Sequence, residues 1–261
     1  MFRNTEGEIE MVRITCDFHS EILSLSTSMT VILPQTPMGK GEKKHPTLNL
    51  LHGFSDDHTI WTRRTSIERY AEELGIAVIM PQVDHSYYTD MAYGKKYWTF
   101  LTEEVPHVAR NLFPLSDKRE DNFVAGLSMG GYGAFKWALR HPEKFAAAAS
   151  LSGALDIATR VDKAPAERQD SFYQIFGGEQ VADTDKDLLW LIEQGNKSAD
   201  QKPFLYQCCG TEDFLFEENK NFQAACEEST YSLTTTYSEG DHEWGYWDRK
   251  IQDVLAWLPL A

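Results

Sequence analysis

Short apolar runs, closed off by glycine, proline and polar turn residues, alternate along this chain with longer stretches whose apolar positions recur every three to four residues. The short runs predict strands at SMTVILP (28–34), TLNLLHG (47–53), IAVIMPQ (76–82), NFVAGL (122–127), FAAAASLSG (145–153), PFLYQCCG (203–210) and SLTTTYS (232–238). Between them the longer period predicts helices near 61–74, 96–113, 129–140, 187–196, 215–229 and 246–258. Strands that alternate with helices in this way are joined by right-handed crossovers. The pattern therefore predicts an α/β fold, a mostly parallel doubly wound sheet with helices on both faces.

Two stretches depart from it. Near the start, IEMVRITC and the following EILSLS read as an antiparallel edge of two strands ahead of the parallel part. The segment 155–186 fits neither period. At about 30 residues it is too short to build a core of its own, so it reads as a cap-like excursion over the sheet, and 1–261 as a single domain.

Composition narrows the function. The chain has 261 residues, 42% of them apolar and 12% aromatic, enough to fill a substantial core. Its 25 basic and 40 acidic residues give a formal charge of −15, which argues against a nucleic-acid partner, since phosphate binding needs clustered cations. No stretch reaches the roughly 20 apolar residues needed to cross a bilayer, so no membrane partner is expected. The first residues hold no apolar run of the about 7 to 15 typical of a signal peptide, and a cytoplasmic location is expected. Four cysteines, Cys16, Cys208, Cys209 and Cys226, are too few for a disulfide scaffold and read as inert thiols. The neighbours Cys208 and Cys209 would point to opposite faces of a strand, which makes a shared metal site a poor reading. The acidic pairs Glu103-Glu104, Glu217-Glu218 and Glu227-Glu228 read as solvated helix faces whose summed field should disfavour anionic substrates.

The strongest chemical signal is NFVAGLSMGGYGAFKWAL, where Gly126-Leu127-Ser128-Met129-Gly130 ends an apolar strand and opens an amphipathic helix. A serine at so sharp a turn is strained, with its hydroxyl lifted above the sheet, and the residues two before and two after must be small to avoid collision. Gly126 and Gly130 meet that requirement. Gly131 and Gly133 allow the helix to approach the sheet closely.

A serine hydroxyl is a weak nucleophile at neutral pH and needs a base, which in turn needs an orienting group. In a strand–serine–helix fold of this kind the chain order is serine, acid, histidine. Only His141 and His242 follow Ser128. His141 ends the helix that Ser128 begins and so falls at the opposite edge of the sheet, whereas His242 lies in a loop after the last strand. For the acid, Gly210-Thr211-Glu212-Asp213-Phe214 follows the strand at 203–210. Asp213 is preferred over Glu212, because the apolar Phe214-Leu215-Phe216 would bury its loop, and over Asp241, which adjoins His242 too closely in sequence. Backbone N–H groups of Met129, after the nucleophile, and Phe54, after the strand at 47–53, are the candidate oxyanion donors. His52 reads as a residue shaping that loop rather than as a base or metal ligand.

With those positions in hand, LHGF (51–54), YYTDMAYGKKYW (87–98), AGLSMGGYGAFKWAL (125–139), SLSGALD (150–156), CGTEDFLFEEN (209–219) and GDHEWGYW (240–247) resemble the bacterial tributyrin esterases. These belong to the esterase D group of α/β-hydrolases, with the S-formylglutathione hydrolases and feruloyl esterases. The resemblance runs from about residue 9 to 258 and is weakest over 157–200. It implies an α/β-hydrolase fold, Ser128 as nucleophile, His242 as base, Asp213 as its partner, and Phe54 and Met129 as oxyanion donors. It also implies short-acyl ester substrates, no cofactor and, in some members, a homo-oligomer. Aromatic residues at Tyr87, Tyr88, Tyr93, Tyr97 and Trp98, and again at Trp244, Tyr246 and Trp247, are read as pocket wall or as ordinary packing. Gly53, Tyr88, Trp98 and Trp244 are the candidate substrate contacts. Thioester hydrolysis is the rival reaction, and a non-catalytic hydrolase-fold binding protein the rival outside enzymes.

Overall fold

The computed structural model describes residues 10–36, 44–198 and 201–260. Eight strands form one sheet: β1 (Met11–Ser20), β2 (Leu25–Pro34), β3 (Thr47–Leu51), β4 (Ala77–Pro81), β5 (Asn122–Leu127), β6 (Ala147–Leu151), β7 (Phe204–Gly210) and β8 (Leu233–Ser238). Their order is β1-β2-β4-β3-β5-β6-β7-β8, antiparallel from β1 to β4 and parallel from β4 onward. The fold is the expected α/β-hydrolase type. Helices α1 (Ile60–Arg64), α2 (Ile67–Glu72), α3 (Tyr97–Thr99) and α4 (Val105–Leu112) precede β5, with a π-helical turn over Phe100–Glu104. Then come α5 (Met129–Arg140), α6 (Ile157–Asp162), α7 (Ala166–Phe176), α8 (Leu188–Asn196), α9 (Phe216–Glu227) and α10 (Trp244–Trp257).

The sheet separates two apolar layers. One gathers α3 to α5 with α7 to α9; the other gathers α1, α2 and α10. Strands β3, β4, β5 and β6 are buried along their whole length, as strands covered on both faces must be. Edge strand β1 alternates partly buried and exposed positions instead.

Three sequence expectations are corrected here. EILSLS is not a separate strand. Residues 21–24 form the hairpin turn, closed by Leu23 N–H donating to Ser20 Oγ at 2.9 Å and by Ser24 at a φ of +51°, and the rest joins 28–34 in β2. β2 thus belongs to the antiparallel edge, with Met29 opposite Pro81. Ile9 of the first stretch lies outside the described residues. The helix at 61–74 is broken at Thr65, whose hydroxyl donates to Trp61 O at 2.6 Å and accepts from Ile67 N–H at 3.1 Å, replacing helical bonds with local ones. The helix at 96–113 carries the π turn because Pro106 has no N–H to offer Thr102 O. Lys144 Nζ takes that carbonyl at 3.4 Å. The excursion at 155–186 contains α6 and α7, short and mostly polar, which is why neither period fitted. Among the described residues no helix is long and apolar enough to cross a membrane.

Candidate active site

The apolar strand β5 delivers Ser128 to the carboxyl edge of the sheet and α5 begins at the next residue. Ser128 has φ +54° and ψ −118°, a strained conformation for a residue with a side chain. The strain is held from several directions. Ser128 N–H donates to Leu151 O at 2.9 Å, and Ser128 O accepts from Tyr132 and Ala154 N–H, each at 3.2 Å. A Cβ at Gly126 would overlap the backbone of Gly130, and one at Gly130 would stand 2.5 Å from Leu51 O. Small residues at both positions are therefore a steric necessity.

His242 sits between β8 and α10, with Nε2 3.0 Å from Ser128 Oγ and Nδ1 2.8 Å from Asp213 Oδ2. The Asp213 side chain is wholly buried, and its Oδ1 accepts Leu215 N–H at 2.8 Å, so the carboxylate is fixed from both oxygens. Ring contacts hold the imidazole: Phe214 at 4.6 Å and Trp247 at 4.8 Å between centroids. Phe214 does not bury the acid's loop as the sequence reading had it. It is 66% exposed and covers the histidine, while Leu215 supplies the burial. Such an arrangement can draw a proton from the hydroxyl onto the imidazole and hold the resulting cation against a carboxylate.

The competing acids and histidines take other positions. Glu212 Oε2 accepts Gly240 N–H at 2.6 Å, and Glu212 N–H donates back to Gly240 O at 3.1 Å, clamping the loop of Asp213 to the loop of His242. That backbone bond holds the Glu212 carboxyl below its ordinary range. Asp241 turns to the N–H of His242 rather than to its ring. His141 is partly exposed at the end of α5, against Glu143. His52 is buried; one ring nitrogen lies 2.7 Å from Gly53 O and the other accepts Val83 N–H at 3.2 Å, and burial lowers its pKa to about 4. It is a neutral spacer that shapes the loop after β3.

That loop presses on the start of α5, where a Cβ at Gly130 would meet Leu51 O and His52 O, and its Phe54 lines the same cleft as Ser128. As the first residue of α5, Met129 has an N–H with no intrahelical acceptor. Ser128 and His242 open into a cleft of about 890 Å³, whose walls include Gly53, Phe54, Tyr87, Phe172 and Trp244. Two expected contacts are elsewhere. Tyr88 is fully buried, with its hydroxyl on His52 O at 2.8 Å and its ring so close to α5 that a Cβ at Gly133 would lie 2.5 Å from it. Trp98 lies over the charged ends of Lys136 and Arg140, at 4.5 and 4.4 Å. Tyr87, one residue from Tyr88, is the aromatic that lines the cleft, packing on Phe54 and Phe172 at 5.6 and 5.5 Å.

Sequence reasoning also missed Lys136, which is buried in α5. Its ammonium donates to Tyr88 O and Thr89 Oγ1, both at 2.9 Å, and burial drives its pKa well down. It ties down Tyr87 and Tyr88, which both have positive φ, at 47° and 49°. The signal was a lone cation in the otherwise apolar run GAFKWAL. Glu104 and Glu218 are not free solvated acids either. Glu104 accepts from Ser20 Oγ and Glu21 N–H, and Glu218 pairs with Arg160 at 2.7 Å. Cys208, Cys209 and Cys226 are buried and Cys16 partly so; burial pushes the thiols of Cys208 and Cys226 up to about 12.

A serine at a strained strand–helix turn, with a histidine and a buried carboxylate in line behind it, defines a serine hydrolase of the α/β-hydrolase class. The family model described as "Putative esterase" matches residues 20–258, and the chain belongs to this esterase family, enzymes that hydrolyse carboxylic esters. It is similar to an acetyl esterase of Caldicellulosiruptor saccharolyticus, 28% identical over 262 residues that cover 95% of this chain and 98% of the relative. Among solved structures it is similar to FphF, a fluorophosphonate-binding serine hydrolase of Staphylococcus aureus. That likeness has a TM-score of 0.89 and 38% identity, over 95% of this chain and 98% of that one. An S-formylglutathione hydrolase (FrmB) of the same organism superposes with a TM-score of 0.86 at 38% identity, over 95% and 99% of the two chains.

Proposed function

We propose that the chain hydrolyses short-acyl carboxylic esters of the tributyrin-esterase type through Ser128, His242 and Asp213. His242 takes the Ser128 proton as the hydroxyl attacks the ester carbonyl, and the N–H groups of Phe54 and Met129 stabilise the oxyanion. The proton passes to the departing alkoxide, leaving an acyl-enzyme. Water, activated by the same imidazole, then releases the acid. Asp213 holds the imidazole in the tautomer that accepts at Nε2. The observation that carries this reading is the unbroken line from Ser128 Oγ through His242 to Asp213, at 3.0 and 2.8 Å, opening on the cleft.

The test is turnover of p-nitrophenyl acetate by wild type and Ser128→Ala. A fall to the uncatalysed rate in the variant is expected; equal rates would remove the proposal. Thioester hydrolysis is the second reading, favoured by the 38% identity to an S-formylglutathione hydrolase. Comparing kcat/KM for S-formylglutathione with p-nitrophenyl esters of increasing acyl length and with a feruloyl ester separates the two.

A further inference from the structure

Between residues 160 and 170 the chain carries three bases, Arg160, Lys163 and Arg168, interspersed with three acids, Asp162, Glu167 and Asp170. All three bases line the cleft that holds Ser128 and His242, and none of the three acids does. In a chain of 40 acidic and 25 basic residues, a wall that turns only its bases inward reverses the average surface.

The other charged groups of the cleft are Asp56, Glu218 and Glu243. Glu218 is committed to Arg160, so that pair is self-neutralising. Asp56 folds back on Gly53, with Oδ2 2.8 Å from where a Cβ there would stand, and burial raises its carboxyl toward the neutral form. Glu243 stands beside His242 at the start of α10, away from the α6–α7 wall in sequence and in element. Lys163 and Arg168 have no ion-pair partner among the described residues. Arg168 is nevertheless held in place, its guanidinium 4.6 Å from the centroid of the Phe54 ring. Held there by its central carbon and without an ion-pair partner among the described residues, the guanidinium has N–H groups to offer a planar anion.

Resting on the hydrolytic reading of this cleft, we propose that Lys163 and Arg168 form a recognition site for a carboxylate carried by the ester substrate away from its scissile bond. Acidic esters are then preferred to neutral ones of the same shape. This reverses the expectation from the net charge. At physiological ionic strength charges beyond about 8 Å are largely screened, so two cations on the cleft wall outweigh acids dispersed over the rest of the surface.

The experiment compares kcat/KM within two matched pairs. p-Nitrophenyl hydrogen glutarate against p-nitrophenyl pentanoate puts the acid on the acyl side; m-carboxyphenyl acetate against m-carbamoylphenyl acetate puts it on the leaving side. A ratio of about three to ten in favour of the acid is expected in at least one pair, the size that one or two solvated charge contacts give. In wild type that ratio should shrink toward one as sodium chloride is raised to about 0.5 M. In K163E and R168E it should fall below one, with K163Q and R168Q intermediate and available should the reversals fold poorly. Because a ratio is read, any general loss of activity divides out. No acid preference in either pair, or a preference that neither salt nor these substitutions change, overturns the proposal. If wild type fails to turn over p-nitrophenyl acetate, or Ser128→Ala matches it, the hydrolytic reading itself has failed. Good acetate turnover without acid preference sinks the recognition site alone.

Discussion

The turn at 126–130 and the wall formed by α6 and α7 face the same cleft and are built on opposite principles. At the turn, the shape of the backbone dictates the small residues: Gly126 and Gly130 are there because a Cβ has no room, and Ser128 is held in strain by three backbone hydrogen bonds. On the wall packing dictates only the inner residues Ile157, Phe172, Ile175 and Phe176. Most of its side chains from 162 to 170 are exposed, and what matters is which of them turn inward. Reaction geometry is a matter of sterics and burial, and substrate choice here is a matter of surface charge.

The largest effect that could break this contrast concerns the buried acid. Asp213→Asn should lower kcat by about 10³ to 10⁴ with the fold intact by circular dichroism, since it leaves the histidine in the wrong tautomer. Combined with His242→Ala it should cost little more than either change alone. A mild loss would hand the role to Glu212. Next in size, Gly126→Ala should destabilise by at least the about 1–3 kcal/mol of an overpacked core, because its new methyl meets backbone that cannot swing aside. Chemical denaturation measures this; a neutral outcome would mean that the turn is far softer than its hydrogen bonds imply. Smallest is Glu212→Gln, expected to lower kcat a few-fold with KM nearly unchanged, through a loosened His242 loop. Its pH dependence has a definite sign. The Glu212 carboxyl is held below its ordinary value by Gly240 N–H, so the stabilisation it gives is present above the usual glutamate range and is lost as pH falls through the lowered pKa. The difference in Tm between wild type and Glu212→Gln should therefore be constant near neutrality and close up below about pH 4. A difference that widens in acid would refute the clamp.

How much the sequence disclosed follows the same division. Ser128, Asp213 and His242 were legible because each lies just beyond a strand readable in the sequence, apolar before the first two and threonine-rich before the third, and because the fold constrains the order in which they come. The broken helix at Thr65 and the π turn before Pro106 were not, since both depend on side chains competing for backbone groups inside a pattern that still reads as helical. Tyr87 and Tyr88 show a finer limit. Two adjacent residues with positive φ send one ring to the cleft and the other beneath it, and no periodicity encodes which. The inward-facing bases were missed for another reason: a net charge of −15 is a property of the whole chain, and the cleft samples only a few of its residues.

Strands β6 and β7 are hydrogen-bonded neighbours, yet everything from 152 to 203, α6, α7 and α8 included, is strung between them. Because the two strands are parallel, with Ala147 beside Phe204 and Leu151 beside Cys208, that segment leaves at the carboxyl edge of the sheet and must cross back to the amino end of β7, and lengthening such a connection costs only slowly with added residues. The part beyond Ala154, whose N–H holds Ser128 O, can therefore vary in length over the cleft without re-routing a strand, provided that a helix in the place of α8 still covers the sheet on the way back. A scaffold arranged this way can acquire new substrates by splicing at a single junction while its chemistry is inherited whole.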